Sequence, residues 1–284
     1  MIYYPAKIKI FSFIVIVSSV LISTLSGYSD HSGYKKFLLI DSFLIWFGVY
    51  LCILDNKSFY YLRPSKIQFL IGLVLLILGF THAWFQFSPD LHGSAVPLIV
   101  SLGLFMLIAP LRLFHRYIKL FFILSLASIE IIVDYVLNLT NKLSHISANL
   151  LDIIFMFFGI DSSVIGNSII WSDYKMIING ACSGKEILFQ TITISIIFLL
   201  AFPLKNKYQI ILLSIIAPII ALLSNLARIS LLSLFISLNN LWLFDRFHGM
   251  WGSLIFGSLA SIIFAKIYIK IVERNLSNLD LNES

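Results

Sequence analysis

Charge is scarce in this chain. Of 284 residues, only 12% are Asp, Glu, Lys or Arg, about half the fraction a soluble domain carries. There are two cysteines, Cys52 and Cys182, so neither a disulfide framework nor a multi-cysteine zinc site can be built. No internal repeat is visible, which removes support for an inverted-repeat transporter. What the chain has in excess is apolar surface: 59% of residues are hydrophobic and the mean hydropathy is +0.96. A cytosolic globular enzyme and a disordered chain are both excluded. The net charge of +6 does not indicate a nucleic-acid partner, because it has a membrane explanation.

A membrane helix needs about 20 mostly apolar residues. Eight such runs are read: 9–27, 37–54, 67–87, 94–111, 118–138, 184–203, 209–238 and 250–268. The expected fold is an all-α polytopic membrane protein in contact with the lipid bilayer, with a short β-like segment before Cys182. It is read as one membrane domain with five spans in 1–138, an outer loop in 139–181, three spans in 182–270 and a tail in 271–284. Span one has the basic start of a signal peptide, but its apolar run is long and no clean small-x-small cleavage site follows it.

Basic residues set the orientation. Lys7, Lys9, Lys57, Arg63, Lys66, Arg112, Arg116, Lys119, Lys205, Lys207, Lys266, Lys270 and Arg274 fall on one side of an eight-span chain. Lys35, Lys36, Lys142, Lys175, Lys185 and Arg246 fall on the other. The bias places both termini in the cytoplasm and 139–181 outside. Within that outer stretch, Leu150 to Phe158 is too short to span and is expected to lie in the interface. Ile165-Gly166-Asn167-Ser168 is expected to turn between short strands that include 169–171 and 176–178.

Three polar features stand in the last hundred residues. In Asn179-Gly180-Ala181-Cys182-Ser183-Gly184, a cysteine sits between glycines at the mouth of span six, where a helix N-terminus favours thiolate; the alternative is a small buried cysteine in a helix-entry loop. In Asn225-Leu226-Ala227-Arg228, a cation lies within a span, which costs about 2.5–3.5 kcal/mol even on the lenient insertion scale. The alternative there is an arginine snorkelling to the headgroups. In His248-Gly249-Met250-Trp251-Gly252, a histidine enters span eight, and a lone interfacial histidine is commonly structural.

Depth joins the three. At 1.5 Å per residue, Lys205 to Cys182 is roughly 34 Å, Lys207 to Arg228 roughly 31 Å and Lys266 to His248 roughly 27 Å. Each is about one hydrocarbon thickness, so Cys182, Arg228 and His248 converge near one outer surface. A thiolate attacks carbonyls, an imidazole moves protons and a guanidinium stabilises an oxyanion. Asn225 is expected to support Arg228 or the Cys182 loop. Cys52 lies near the opposite face, too far to bond Cys182.

This ordered set, Cys182-Ser183-Gly184, Asn225-x-x-Arg228 and His248-x-x-x-Gly252 on successive spans, resembles the exosortase/archaeosortase family over about residues 160–260. The resemblance implies a membrane cysteine transpeptidase without cofactor or metal. Its partners would be membrane-anchored proteins bearing a C-terminal sorting signal: a short motif, a transmembrane helix and a basic tail. It implies that Cys182, Arg228 and His248 are catalytic, with Ser183, Gly184, Asn225 and Gly252 supporting them.

Other polar residues compete. Glu130 and Asp134 share a face of span five and are expected to pair with Arg228 or another outer cation. His82, Asp90 and His92 match no metal-site spacing. Trp84, Trp171, Trp242 and Trp251 are expected in the interfacial aromatic belt. Three readings from other classes remain: a small transporter with Arg228 as an anion site, a non-enzymatic subunit of an envelope-polysaccharide machine, and an acyltransferase using Cys182.

Overall fold

A computed structural model of the protein describes residues 64–84, 96–108 and 110–282. The expected first two spans, Cys52, Asp90 and His92 lie outside the described residues, as do the side chains of His82, Trp84 and Glu130. The chain divides into two compact units, up to Tyr135 and from Val136 onward.

In the first unit, α1 (Lys66–Trp84) packs along α2 (Val96–Ile108). Two glycines permit the close crossing: a Cβ on Gly72 would lie 2.9 Å from the carbonyl of Gly103, and one on Gly103 would lie 3.1 Å from that of Gly72. Ile67, Leu70, Ile71, Val74 and Leu78 of α1 are exposed, as expected of a surface meeting lipid rather than water. After a 3-10 turn at Leu111–Leu113 follows α3 (Phe114–Leu137).

The second unit holds the chemistry-bearing motifs. Asn138, in the left-handed conformation at φ 47°, starts α4 (Leu139–Phe157). This helix begins eleven residues earlier than the apolar run at 150–158 indicated, because its first turns are polar on the exposed face. Its buried face carries Leu143, Ser144, Ser147, Ala148, Leu151 and Phe155, the spacing of one helical side. A three-stranded antiparallel sheet follows: β1 (Ser162–Ile165), β2 (Ser168–Trp171) and β3 (Tyr174–Ile177), in that spatial order. The first turn has Gly166 at φ +65°, the positive first position that a type II′ hairpin needs. The alternation is regular: Val164, Ile169, Trp171 and Met176 face the core while Ile165, Lys175 and Ile177 are exposed.

Three long helices follow. They are α5 (Lys185–Ala201), α6 (Lys207–Ser237) and, after the short amphipathic α7 (Leu241–His248), α8 (Met250–Asn282). Asn206 and Asn240 cap α6 and α7 by accepting from the amides of Tyr208 and Leu243. By length and composition, Lys207–Ser237 and Trp251–Asn275 can cross a membrane. On α6 the exposed residues Ile211, Ile215, Ile219 and Leu223 form one stripe, four residues apart and so on one helix face. The expected eighth span ended at 268; α8 instead continues as helix through the supposed tail to Asn282. Helices α5, α6 and α8 pack mutually around Leu213, Ala217, Phe264 and Tyr268, and the Tyr268 hydroxyl donates to the carbonyl of Phe202. Gln209 and Asn275 close the same end with a reciprocal amide pair at 3.1 and 2.9 Å.

Candidate active site

The sheet is fastened to the far end of α6. The Trp171 indole donates to Ser237 Oγ at 3.1 Å and packs edge-on to Phe155. Trp171 is therefore a core residue, 4% exposed, and not part of an aromatic belt; Trp242 and Trp251 are exposed. This fastening delivers the chain from β3 into the Cys182 loop. The Cys182 amide donates to the Asn179 carbonyl at 3.0 Å, and the Ala181 amide to Asn179 Oδ1 at 3.1 Å. Ser183 Oγ donates to the Gly180 carbonyl and accepts from the Lys185 amide. It thereby occupies one of the orphan N–H groups of the first turn of α5.

Asn225 holds this loop from behind. Its Nδ2 donates to the Cys182 carbonyl at 3.1 Å and to Ser147 Oγ at 3.3 Å, while Ser147 Oγ donates to the Ser183 carbonyl at 3.3 Å. Ser147 was not foreseen from sequence. The only signal was a serine on the apolar face of a helix that had not been delimited. Gly184 must be glycine twice over: its φ is +83°, and a Cβ there would lie 2.5 Å from Asn225 Cγ.

Arg228 is fully buried, at 0% exposure. Its Nε donates to the Phe247 carbonyl at 3.1 Å and Nη1 to the Ala181 carbonyl at 3.0 Å. Its Nη2 donates to the carbonyls of His248 at 2.5 Å and Gly249 at 3.1 Å. Three of these carbonyls are the orphan acceptors at the C-terminus of α7, the negative end of a helix dipole. The fourth belongs to the residue before Cys182. One guanidinium thus caps a helix and ties the cysteine loop to the histidine segment. The acceptors described for Arg228 are all backbone carbonyls. Asp134, on α3, is half-buried.

Gly252 is small for the same reason as Gly184. A Cβ there would fall 1.8 Å from the Phe247 carbonyl oxygen and 2.8 Å from Arg228 Nε. His248 is half-buried, and its ring stacks on Phe244 at a centroid distance of 5.0 Å. Burial, and then the Arg228 guanidinium, hold its pKa below the ordinary histidine value against the pull of Asp245. It is therefore neutral at pH 7 and available as a base.

Cys182 departs furthest from expectation. It is wholly buried, packed with Ala148, Leu151, Ile169, Ile178 and Ile229. Burial pushes its thiol up to about 11, the favourable Arg228 charge offsetting only part of this and Glu186 adding to it. Desolvation of the charged form thus outweighs the attraction of the nearby guanidinium. Among the described residues no hydrogen bond joins the thiol to the imidazole. Arg228 joins the backbone of Ala181, next to Cys182, to the backbones of His248 and Gly249.

No curated protein and no solved structure matches the chain. A family model, that of the transmembrane exosortases, matches residues 34–265. It covers most of the chain, including all three polar motifs and the arginine that joins them, and on that match this protein belongs to the transmembrane exosortase family.

Proposed function

We propose that the protein is a membrane cysteine transpeptidase that cleaves, and transfers, proteins bearing a C-terminal sorting signal at the outer face of the membrane. The observation that carries the reading is the Arg228 tie, which gathers residues of all three motifs within hydrogen-bond reach of one guanidinium. Both termini would lie in the cytoplasm, as the distribution of basic loops argues.

In the reaction the neutral Cys182 thiol gives its proton to neutral His248 as the sulfur attacks the scissile carbonyl. The C–N bond then breaks, and the imidazolium returns the proton to the leaving amine. The resulting thioester is opened by an acceptor amine or by water, which restores the thiol. A catalytic hydrogen bond absent from a substrate-free site commonly forms only in the complex, so its absence between thiol and imidazole fits a resting state. Arg228 acts as a positioning residue, since four hydrogen bonds from its five N–H groups go to backbone carbonyls. The same saturation speaks against an anion-transport site at Arg228. The oxyanion would instead meet amides at the start of α5, beside Gly184.

The test is the C-terminal peptide inventory of host membranes with wild-type protein or with Cys182→Ala. The expected result is that a set of proteins keeps its C-terminal transmembrane helix and basic tail only in the variant. An identical inventory in both would refute the proposal.

A further inference from the structure

The sheet that leads to Cys182 has an open edge. In an antiparallel pair, residues alternate between exchanging hydrogen bonds with the neighbour and pointing them outward. The Ile178 amide donates to the Asn167 carbonyl at 2.9 Å, which fixes the phase. With Ile169 opposite Met176 and Trp171 opposite Tyr174, it is Tyr174, Met176 and Ile178 that face β2. The N–H and C=O groups of Lys175 and Ile177 therefore point away from the sheet. Among the described residues they have no backbone partner. Both residues are exposed, Ile177 by 53%. Ile177 stands in one row with Ile165 through the buried Ser168, and both isoleucines are exposed.

We propose that this edge of β3 is the substrate site: an extended peptide adds to it as a fourth strand, held by its backbone. The proposal rests on the transpeptidase reading above and names how its substrate is presented. Strand addition uses main-chain hydrogen bonds for affinity and alternate side chains for selectivity. The edge is two residues wide, too short to invite unlimited pairing, and its chain runs on from Ile177 through one turn to Cys182. A substrate strand beside β3 has its scissile carbonyl brought to the nucleophile by covalent continuity of the protein itself. It runs in the same direction as β3. Beyond Cys182 the protein turns down into α5, and a substrate with a C-terminal membrane helix must descend there too. The residue in register with Ile177 would meet the Ile165–Ile177 row, so an apolar side chain is favoured at that position.

The experiment uses the full chain in lipid nanodiscs with Cys52→Ser, leaving Cys182 as the sole thiol. Two alkylating probes are compared by mass spectrometry: a tetra-alanyl chloromethyl ketone and chloroacetone, each normalised to its rate with glutathione. Backbone pairing predicts that the peptide probe is about tenfold or more faster, the advantage expected of a pair of net hydrogen bonds. N-methylation of the probe's amides removes that advantage. Ile177→Pro, which deletes an outward N–H where an edge tolerates proline, also removes it without slowing chloroacetone. Ile177→Ala, which keeps the N–H, preserves it. If chloroacetone reacts but the peptide probe has no advantage, or keeps it when N-methylated, the edge proposal falls and the nucleophile stands. If neither probe reaches Cys182 in the folded protein, the transpeptidase reading falls and the edge proposal with it.

Discussion

The resting thiol gives the sharpest prediction. Burial raises Cys182 from 9.0 to about 11. A rise of about 2 units means roughly 100-fold less thiolate at neutral pH. A more basic thiolate is intrinsically more nucleophilic, with a Brønsted slope of about 0.4–0.5, which returns roughly six- to tenfold. Alkylation by iodoacetamide should therefore run roughly tenfold or more slower than that of a free thiol, before any cost of exposing the side chain. The pH profile follows from the sign of the shift. The rate should climb about tenfold per unit from pH 6 to pH 9 without levelling, whereas a free thiol levels off above about 8.5. The measurement is made on the folded Cys52→Ser protein, with melting checked at each pH. A plateau at or below about pH 8 would refute the burial argument and restore a thiolate made by the helix terminus.

Glu186, in the first turn of α5, raises the Cys182 pKa by its charge, so Glu186→Gln should speed alkylation a few-fold at fixed pH; an unchanged rate would show that its charge does not reach the thiol. Gly252→Ala inserts a Cβ 1.8 Å from the Phe247 oxygen, and such overpacking costs about 1–3 kcal/mol or more. Gly249→Ala, whose Cβ would sit 3.6 Å from the Asp245 oxygen, should stay within about 0.5 kcal/mol of wild type. Equal melting temperatures for the two would undo the steric account. Arg228→Lys keeps the charge, but its single ammonium cannot serve acceptors on two segments, and each carbonyl left unpaired costs about 1–3 kcal/mol; a wild-type melting temperature would show that the tie carries no stability. His248 is held below the ordinary value by burial and by Arg228, so its neutral form persists into mild acid. The acid limb of processing should lie below about pH 6.5, and a limb above that value would assign it to another group.

The helices of the second unit were legible because lipid demands long apolar runs, and α5, α6 and the start of α8 lie where those runs are. The turn at Gly166 was legible because few residues accept its φ of +65°. The beginning of α4 was not. Thr140, Asn141, Lys142 and His145 break the apolar run, and only its face periodicity, through Leu143, Ser147, Leu151 and Phe155, marks a helix. Counting residues along the spans put the three motifs near one another, and the Arg228 bonds join residues of all three. It could not show that the acceptors for Arg228 are carbonyls, since backbone groups leave no mark in a sequence. Nor could it show that Cys182 is buried. The apolar wall around it comes from the adjacent sheet and from α4 and α6, which are distant in the chain.

The motif spacings become intelligible as one steric arrangement. Asn225 and Arg228 are three residues apart and so project from one side of α6. One reaches back to the cysteine loop and the other to the α7–α8 junction. Each polar side chain passes through the space that a Cβ would fill, at Gly184 for Asn225 and at Gly252 for Arg228. The glycines are thus the complements of the two polar residues. A lysine at 228 would supply charge without the planar fork that serves divergent acceptors, and a larger residue at 252 would displace the fork itself. Three short patterns that are weak signals separately describe a single joint, in which α6 holds the cysteine loop with one side chain and ties it to the histidine segment with the next.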